Sequence, residues 1–244
     1  MRYRSTNPVL KYGDFSNVGS ETATYSGVAI KTGILLLIVA SVAMYFGSTL
    51  DFAGDIGGAI FTIILAPIVA IIMVILAHKN TQMAWVFSLV YAAAEGIFLG
   101  FISGLYAYYF GNEIVLTALV ATFGVLSAML FLYSTGIIRV GSTFRRFMMS
   151  ALFGLIGASL FLFIFALFGG LNTQLGYTLY AGIVIISVII SALYLLIDFD
   201  NVSKLVSAGA SKEYEWSLAL GLVVTIVWLY IELLRLIAII SRRN

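Results

Sequence analysis

Residues 191–202 read SALYLLIDFDNV, an apolar run that closes on two carboxylates, Asp198 and Asp200. Downstream, residues 227–236 read VWLYIELLRL, a second apolar run that carries Glu232 and, three positions on, Arg235. An acid inside an oily segment is costly to bury, so each marks a candidate functional position. Runs of this kind belong to a chain folded within a membrane, and their acids nominate its sensing and gating site.

The composition agrees. Hydrophobic residues make up 62% of the 244 and charged residues 10%, and the mean hydropathy is +1.09. Soluble domains are nearer half apolar and a quarter charged, so the sequence predicts an all-α polytopic protein with the lipid bilayer as its surroundings. The net charge is only +2 and the basic residues are scattered, which argues against nucleic acid as a partner. With no cysteine, disulfides, thiolate metal sites and cysteine nucleophiles are excluded. A single histidine, His78, leaves no material for a histidine-rich metal site or a histidine-based triad. No nucleophile motif or metal-ligand cluster stands out, so neither an enzyme nor a bound cofactor is expected.

Residues 1–27 are polar and mixed, and a cleaved signal would place its apolar core much nearer the start. They are expected to form a cytoplasmic tail, followed by a membrane domain over 28–240 and a short basic end over 241–244. A helical crossing takes roughly 20 apolar residues. Seven runs qualify: 28–47, 57–77, 83–110, 114–133, 147–168, 177–198 and 216–240. Lys31 stands near the start of the first, where it can snorkel to the headgroups, and Pro67 should kink the second. Short links (HKNTQ, GNE, GGLNTQLG) make neighbouring spans antiparallel and the bundle compact. Gly96, Gly100 and Gly104, spaced by four, are suited to close helix packing.

Orientation follows from the basic residues. Arg2, Arg4, Lys11 and Lys31 mark the amino-terminal side, and alternate loops add Lys79, then Arg139, Arg145 and Arg146, then Lys204 and Lys212. The other loops hold only the acids Asp51, Asp55 and Glu113. The amino terminus is therefore expected in the cytoplasm, with the chain in a cell membrane. Seven crossings send the carboxyl end outside despite Arg242 and Arg243.

Four acids remain inside or at the ends of spans. Glu95 sits more than a dozen residues from either end of its run, where an ionised carboxylate needs a partner, water or a cation. It is a candidate for an ion path, or a neutral acid bonded to a neighbouring helix. Asp198 and Asp200 are two apart and point to nearly opposite sides of a helix. Asp198 is the more deeply set, and Asp200 reads as an exposed helix-end acid. Glu232 and Arg235 are spaced to pair along one face. The sharper reading joins Asp198 to Glu232: two buried carboxylates in contact share one proton and repel once both are lost. His78 and Lys79 are the nearby cations that could latch one state. Calcium suits carboxylate oxygens, so Asp198 and Glu232 are also its candidate ligands.

At these residues the chain resembles the Bax inhibitor family, the transmembrane Bax inhibitor motif proteins, in their bacterial branch. The likeness is carried by SALYLLIDFDNV, by WLYIELLRLI at 228–237 and by VYAAAEGIFLG at 90–100. It implies seven helices with the last at the centre, in a bacterial inner membrane, and an acidic pair that senses pH and controls a calcium leak. By position the pair falls on Asp198 and Glu232, and the family's latching arginine falls near Asn80, beside His78 and Lys79. Relatives are also described as suppressors of cell death and as modulators of a membrane protease. The chain departs in having Glu232 for an aspartate and in lacking that arginine. It also holds about ten more residues between the two acids, worth about 15 Å of helix unless a longer helix or loop absorbs them.

The expectation is therefore a calcium leak channel gated by protons through Asp198 and Glu232, with Glu95 on its path. Arg235, Asp200, His78 and Lys79 are secondary. The competing readings are a non-conducting protein that binds a membrane protease or other membrane partner, and a proton-coupled cation transporter.

Overall fold

The computed structural model describes residues 21–50 and 57–241, the side chains of 57–63 excepted. The seven apolar runs become seven helices: α1 (Tyr25–Thr49), α2 (Gly57–Lys79), α3 (Ala84–Phe110), α4 (Glu113–Ser134), α5 (Ser142–Leu167), α6 (Gln174–Ser207) and α7 (Tyr214–Ser241). Short 3-10 turns at Thr81–Met83 and Gly170–Asn172 lead into α3 and α6. There is no strand among the described residues, only an isolated bridge between Thr22 and Ser211. Among the described residues, six helices are long and apolar enough to cross a membrane. For α2 the described apolar stretch is Ile64–Lys79, with Pro67 inside the helix. The chain is an all-α, polytopic membrane protein.

The last helix is the hub. It packs against α1, α2, α3, α4 and α6, whereas among the described elements α5 rests on α6 and the turn before it. Within its most apolar window 61% of α7 is buried, against 11% for α5, so α5 gives most of its surface to lipid. Leu220, Val223, Leu229 and Leu234 of α7 form the centre of the core. The α1–α3 contact depends on glycine. A Cβ on Gly100 would stand 2.6 Å from the Ala43 carbonyl oxygen, and one on Gly96 would stand 2.9 Å from that of Val39. No side chain fits there, so the predicted close approach is made by these two glycines.

The long interval between Asp198 and Glu232 is taken up largely by helix. The α6 helix has 34 residues, about 50 Å of rise, and so runs beyond a hydrocarbon layer of about 30 Å. Between α6 and α7 only a short turn after Ser207 remains, and it uses Gly209 at positive φ. The expected tail boundary also moves. Thr24 caps α1 by accepting the Gly27 N–H, and α1 starts at Tyr25 rather than at residue 28. The other residues of the predicted tail, 1–20, lie outside the described residues, as do Arg242 and Arg243.

Candidate functional site

Two hydrogen bonds set the register of α3 on α7. Ser88 donates to the Trp216 carbonyl at 3.5 Å, and Ser103 meets the Tyr230 hydroxyl at 2.7 Å. The helices run parallel, so Glu95, one heptad after Ser88, faces α7 at about the level of Val223. Glu95 is half-buried and has no hydrogen bond or ion pair among the described residues.

The α6–α7 register is set by Asp198, whose Oδ2 accepts the Thr225 hydroxyl at 2.5 Å. This corrects the expected carboxylate pair. Glu232 lies seven residues beyond Thr225, about two turns or 10 Å further along α7, so Asp198 and Glu232 do not touch. Nor can they ligate one calcium ion, whose oxygens lie about 2.3–2.6 Å away. Among the described residues, no three of His, Cys, Asp and Glu are grouped to hold a metal. The cause is the long interval between the two acids: across the turn after Ser207, Asp198 comes level with Thr225, and Glu232 lies further along α7.

Asp200 also departs from expectation. It is buried, at 8% exposure, rather than an exposed helix-end acid. Arg145 of α5 donates Nη2 to Asp200 Oδ2 at 2.5 Å and to Asn201 Oδ1 at 2.7 Å, and Lys204 joins the same oxygen at 2.5 Å. Arg145 is close enough to Asp198 for their charges to interact. The two aspartates do face opposite ways, Asp198 toward α7 and Asp200 toward α5. His78 and Lys79 take no part. The exposed His78 ring bonds the Val74 carbonyl of its own helix at 3.0 Å, and Lys79 has no ion pair among the described residues. The cation beside the α6 acids is Arg145, a residue sequence reasoning used only for orientation.

Glu232 pairs with Arg235 as its spacing predicts, Nη1 to Oε1 at 3.3 Å, and accepts the Trp228 indole N–H at 3.2 Å. Its other oxygen, Oε2, is buried without a hydrogen-bond partner among the described residues.

A second cluster lies at the end that holds the α1 start. Glu215 is 1% exposed and accepts the Thr24 N–H at 2.8 Å and the Thr24 hydroxyl at 3.1 Å. Lys31, expected to snorkel, instead forms an ion pair with Glu215 and lies 5.5 Å from the Trp216 ring centre. Residues 21–23 continue the attachment as a strap. Ala23 N–H donates to the Ala210 carbonyl at 2.8 Å, Lys212 N–H to that of Glu21 at 2.9 Å, and the Glu21 and Lys212 side chains pair. The Lys212 ammonium holds the Glu21 carboxyl below its ordinary range, and Glu21 raises Lys212 in return. The sequence carried one signal for this cluster: a lysine inside an apolar run needs a counter-ion, and Glu215 lies at the matching end.

The family model described as Bax inhibitor 1 like matches residues 7–242. No curated protein matches the chain.

Proposed function

The chain belongs to the Bax inhibitor 1 like family, and from that premise we propose that it is a proton-gated cation leak, with calcium as its cargo, whose gate is the contact of Asp198 with Thr225. The observation that carries this reading is the 2.5 Å hydrogen bond itself, which ties α6 to the central helix through a titratable group. A neutral carboxyl can rest in a helix interface with one hydrogen bond. An ionised carboxylate needs more partners than Thr225 supplies, and it gains them by drawing water or a cation between α6 and α7. Loss of the proton thus favours a wetted, conducting interface.

Arg145 and Lys204 pair with Asp200 directly, whereas Asp198 feels Arg145 only at longer range, so Asp198 is the acid of this pair left to the gate. Glu95, at a similar depth on the other side of α7, supplies a second carboxylate to the path. The reading puts the amino-terminal side in the cytoplasm, on the strength of the basic residues at that end, and involves no catalytic step. Calcium flux into vesicles holding the full chain tests it. Leak should rise with pH in the natural sequence, and Asp198→Asn, neutral at every pH, should hold it at the low-pH level.

A further inference from the structure

At the carboxyl-terminal end of α7 a cavity of about 430 Å³ opens between α3, the turn before α6, the start of α6 and α7. It lies at the end of the bundle opposite the α1 start, because Glu215 at the α7 start meets Thr24 and Lys31. Its polar lining is Tyr106, Tyr109, Tyr177, Tyr180, Asn172 and Arg235. Arg235 carries the one charge among the lining residues, and no carboxylate stands with it there.

Arg235 has donors to spare. Its side chain is 43% exposed, and a single nitrogen, Nη1, donates to Glu232 Oε1 at 3.3 Å. A charge-assisted bond is ordinarily about 2.7–2.9 Å long, so this contact is a loose one. A guanidinium carries several further N–H groups, and these meet no acceptor among the described residues. The tyrosine hydroxyls and the Asn172 amide can each donate as well. A cation, several neutral donors and no acceptor-only group select a ligand that is anionic and rich in oxygen. Phosphate is the anion that the planar guanidinium fork matches while leaving oxygens for the other donors. The rest of the wall, including Leu171 and Ile239, is apolar and suits a phosphate that carries hydrocarbon.

We propose that this cavity binds a phosphate group, with the Arg235 guanidinium as its anchor and the tyrosine hydroxyls and Asn172 amide as further donors. Two sources offer that chemistry: a phospholipid headgroup, which in a bilayer stands at the ends of the spans, and free phosphate. Glu232 holds the guanidinium from the protein side and competes with the ligand for it. The site makes no use of Asp198, so it stands or falls apart from the leak.

The test uses the purified full chain in a non-ionic detergent, with short-chain phosphatidylglycerol, diacylglycerol of the same chain length and inorganic phosphate as separate probes. Native mass spectrometry reads lipid binding. Phosphatidylglycerol is expected to bind at least about tenfold more tightly than diacylglycerol, and Arg235→Gln is expected to weaken it at least about tenfold. Glu232→Gln, which removes the competing negative charge, is expected to tighten it. In the unaltered chain, phosphatidylglycerol is expected to slow phenylglyoxal labelling of Arg235 while the exposed Arg146 labels as before, which keeps the test open if a variant folds poorly. Protection by inorganic phosphate as well assigns the site to the free anion, and protection by phosphatidylglycerol alone assigns it to the headgroup. Phosphatidylglycerol that binds no better than diacylglycerol, unchanged affinity in Arg235→Gln, weaker binding in Glu232→Gln, or Arg235 labelling that neither phosphate probe slows would each overturn the proposal.

Discussion

Two glycines of α1 should respond to alanine with opposite signs. Gly33 lies in the helix with open space where a Cβ would go, so Gly33→Ala removes backbone freedom from the unfolded chain and stabilises by about 0.5–1 kcal/mol. Gly27 faces the Glu215 carboxylate, and a methyl there would overlap it. Gly27→Ala must therefore expel that carboxylate from a site where it accepts two hydrogen bonds from Thr24 and pairs with Lys31. Lys31 is only 14% exposed and Glu215 1%, and breaking a buried pair costs about 3–5 kcal/mol. At roughly 2–4 °C per kcal/mol for a chain of this size, the apparent unfolding midpoint in detergent should fall by roughly 6–20 °C. Tryptophan fluorescence during heating reads it, since Trp216 lies over Lys31. A Gly27→Ala protein that melts at or above the natural one would refute the buried clamp between α1 and α7.

Other outcomes follow from the same contacts. Thr225→Val removes the hydrogen bond from α7 to Asp198 and should raise calcium leak at low pH toward its high-pH level; a leak unchanged in vesicles would count against the gate. Arg145→Met leaves Asp200 buried with Lys204 alone and should destabilise the fold by about 1–3 kcal/mol, the buried-pair cost discounted for the exposure of Arg145, as read by the detergent melting midpoint. The strap over residues 21–23 should loosen in acid. The Glu21 carboxyl is held below its ordinary range by Lys212, so its contribution is complete above that range and is lost as pH falls through the lowered value. Amide exchange at Ala23 and Lys212, corrected for intrinsic rates, should then quicken; unchanged protection in acid would contradict it.

The seven spans were legible because apolar runs of membrane length admit little else, and α7 as hub was legible from the family likeness. Local pairings were legible too. Glu232 finds Arg235 at its own helix spacing, and Gly96 and Gly100 admit α1 as their spacing predicts. Axial register between helices was not legible. The faces of α6 and α7 are mostly apolar, so sliding one past the other by two turns keeps oil largely against oil, and the register rests on particular contacts, the Asp198–Thr225 bond and the Tyr194–Trp228 ring pair. The same uniformity hid Arg145, which reaches Asp200 across 55 residues of sequence. Nothing in the sequence singled out Glu215, because helix-start carboxylates are ordinarily solvated; it is buried where the capping turn at the start of α1 packs against it.

The central claim is that the proton on Asp198 governs leakage along α7. Calcium uptake into vesicles, measured from acid to alkaline pH for the natural chain and for Asp198→Asn, tests it most directly. The account predicts a leak that rises with pH in the first and a low, pH-independent leak in the second. An Asp198→Asn protein whose leak still rises with pH, or a natural chain that passes no calcium at any pH, would contradict it.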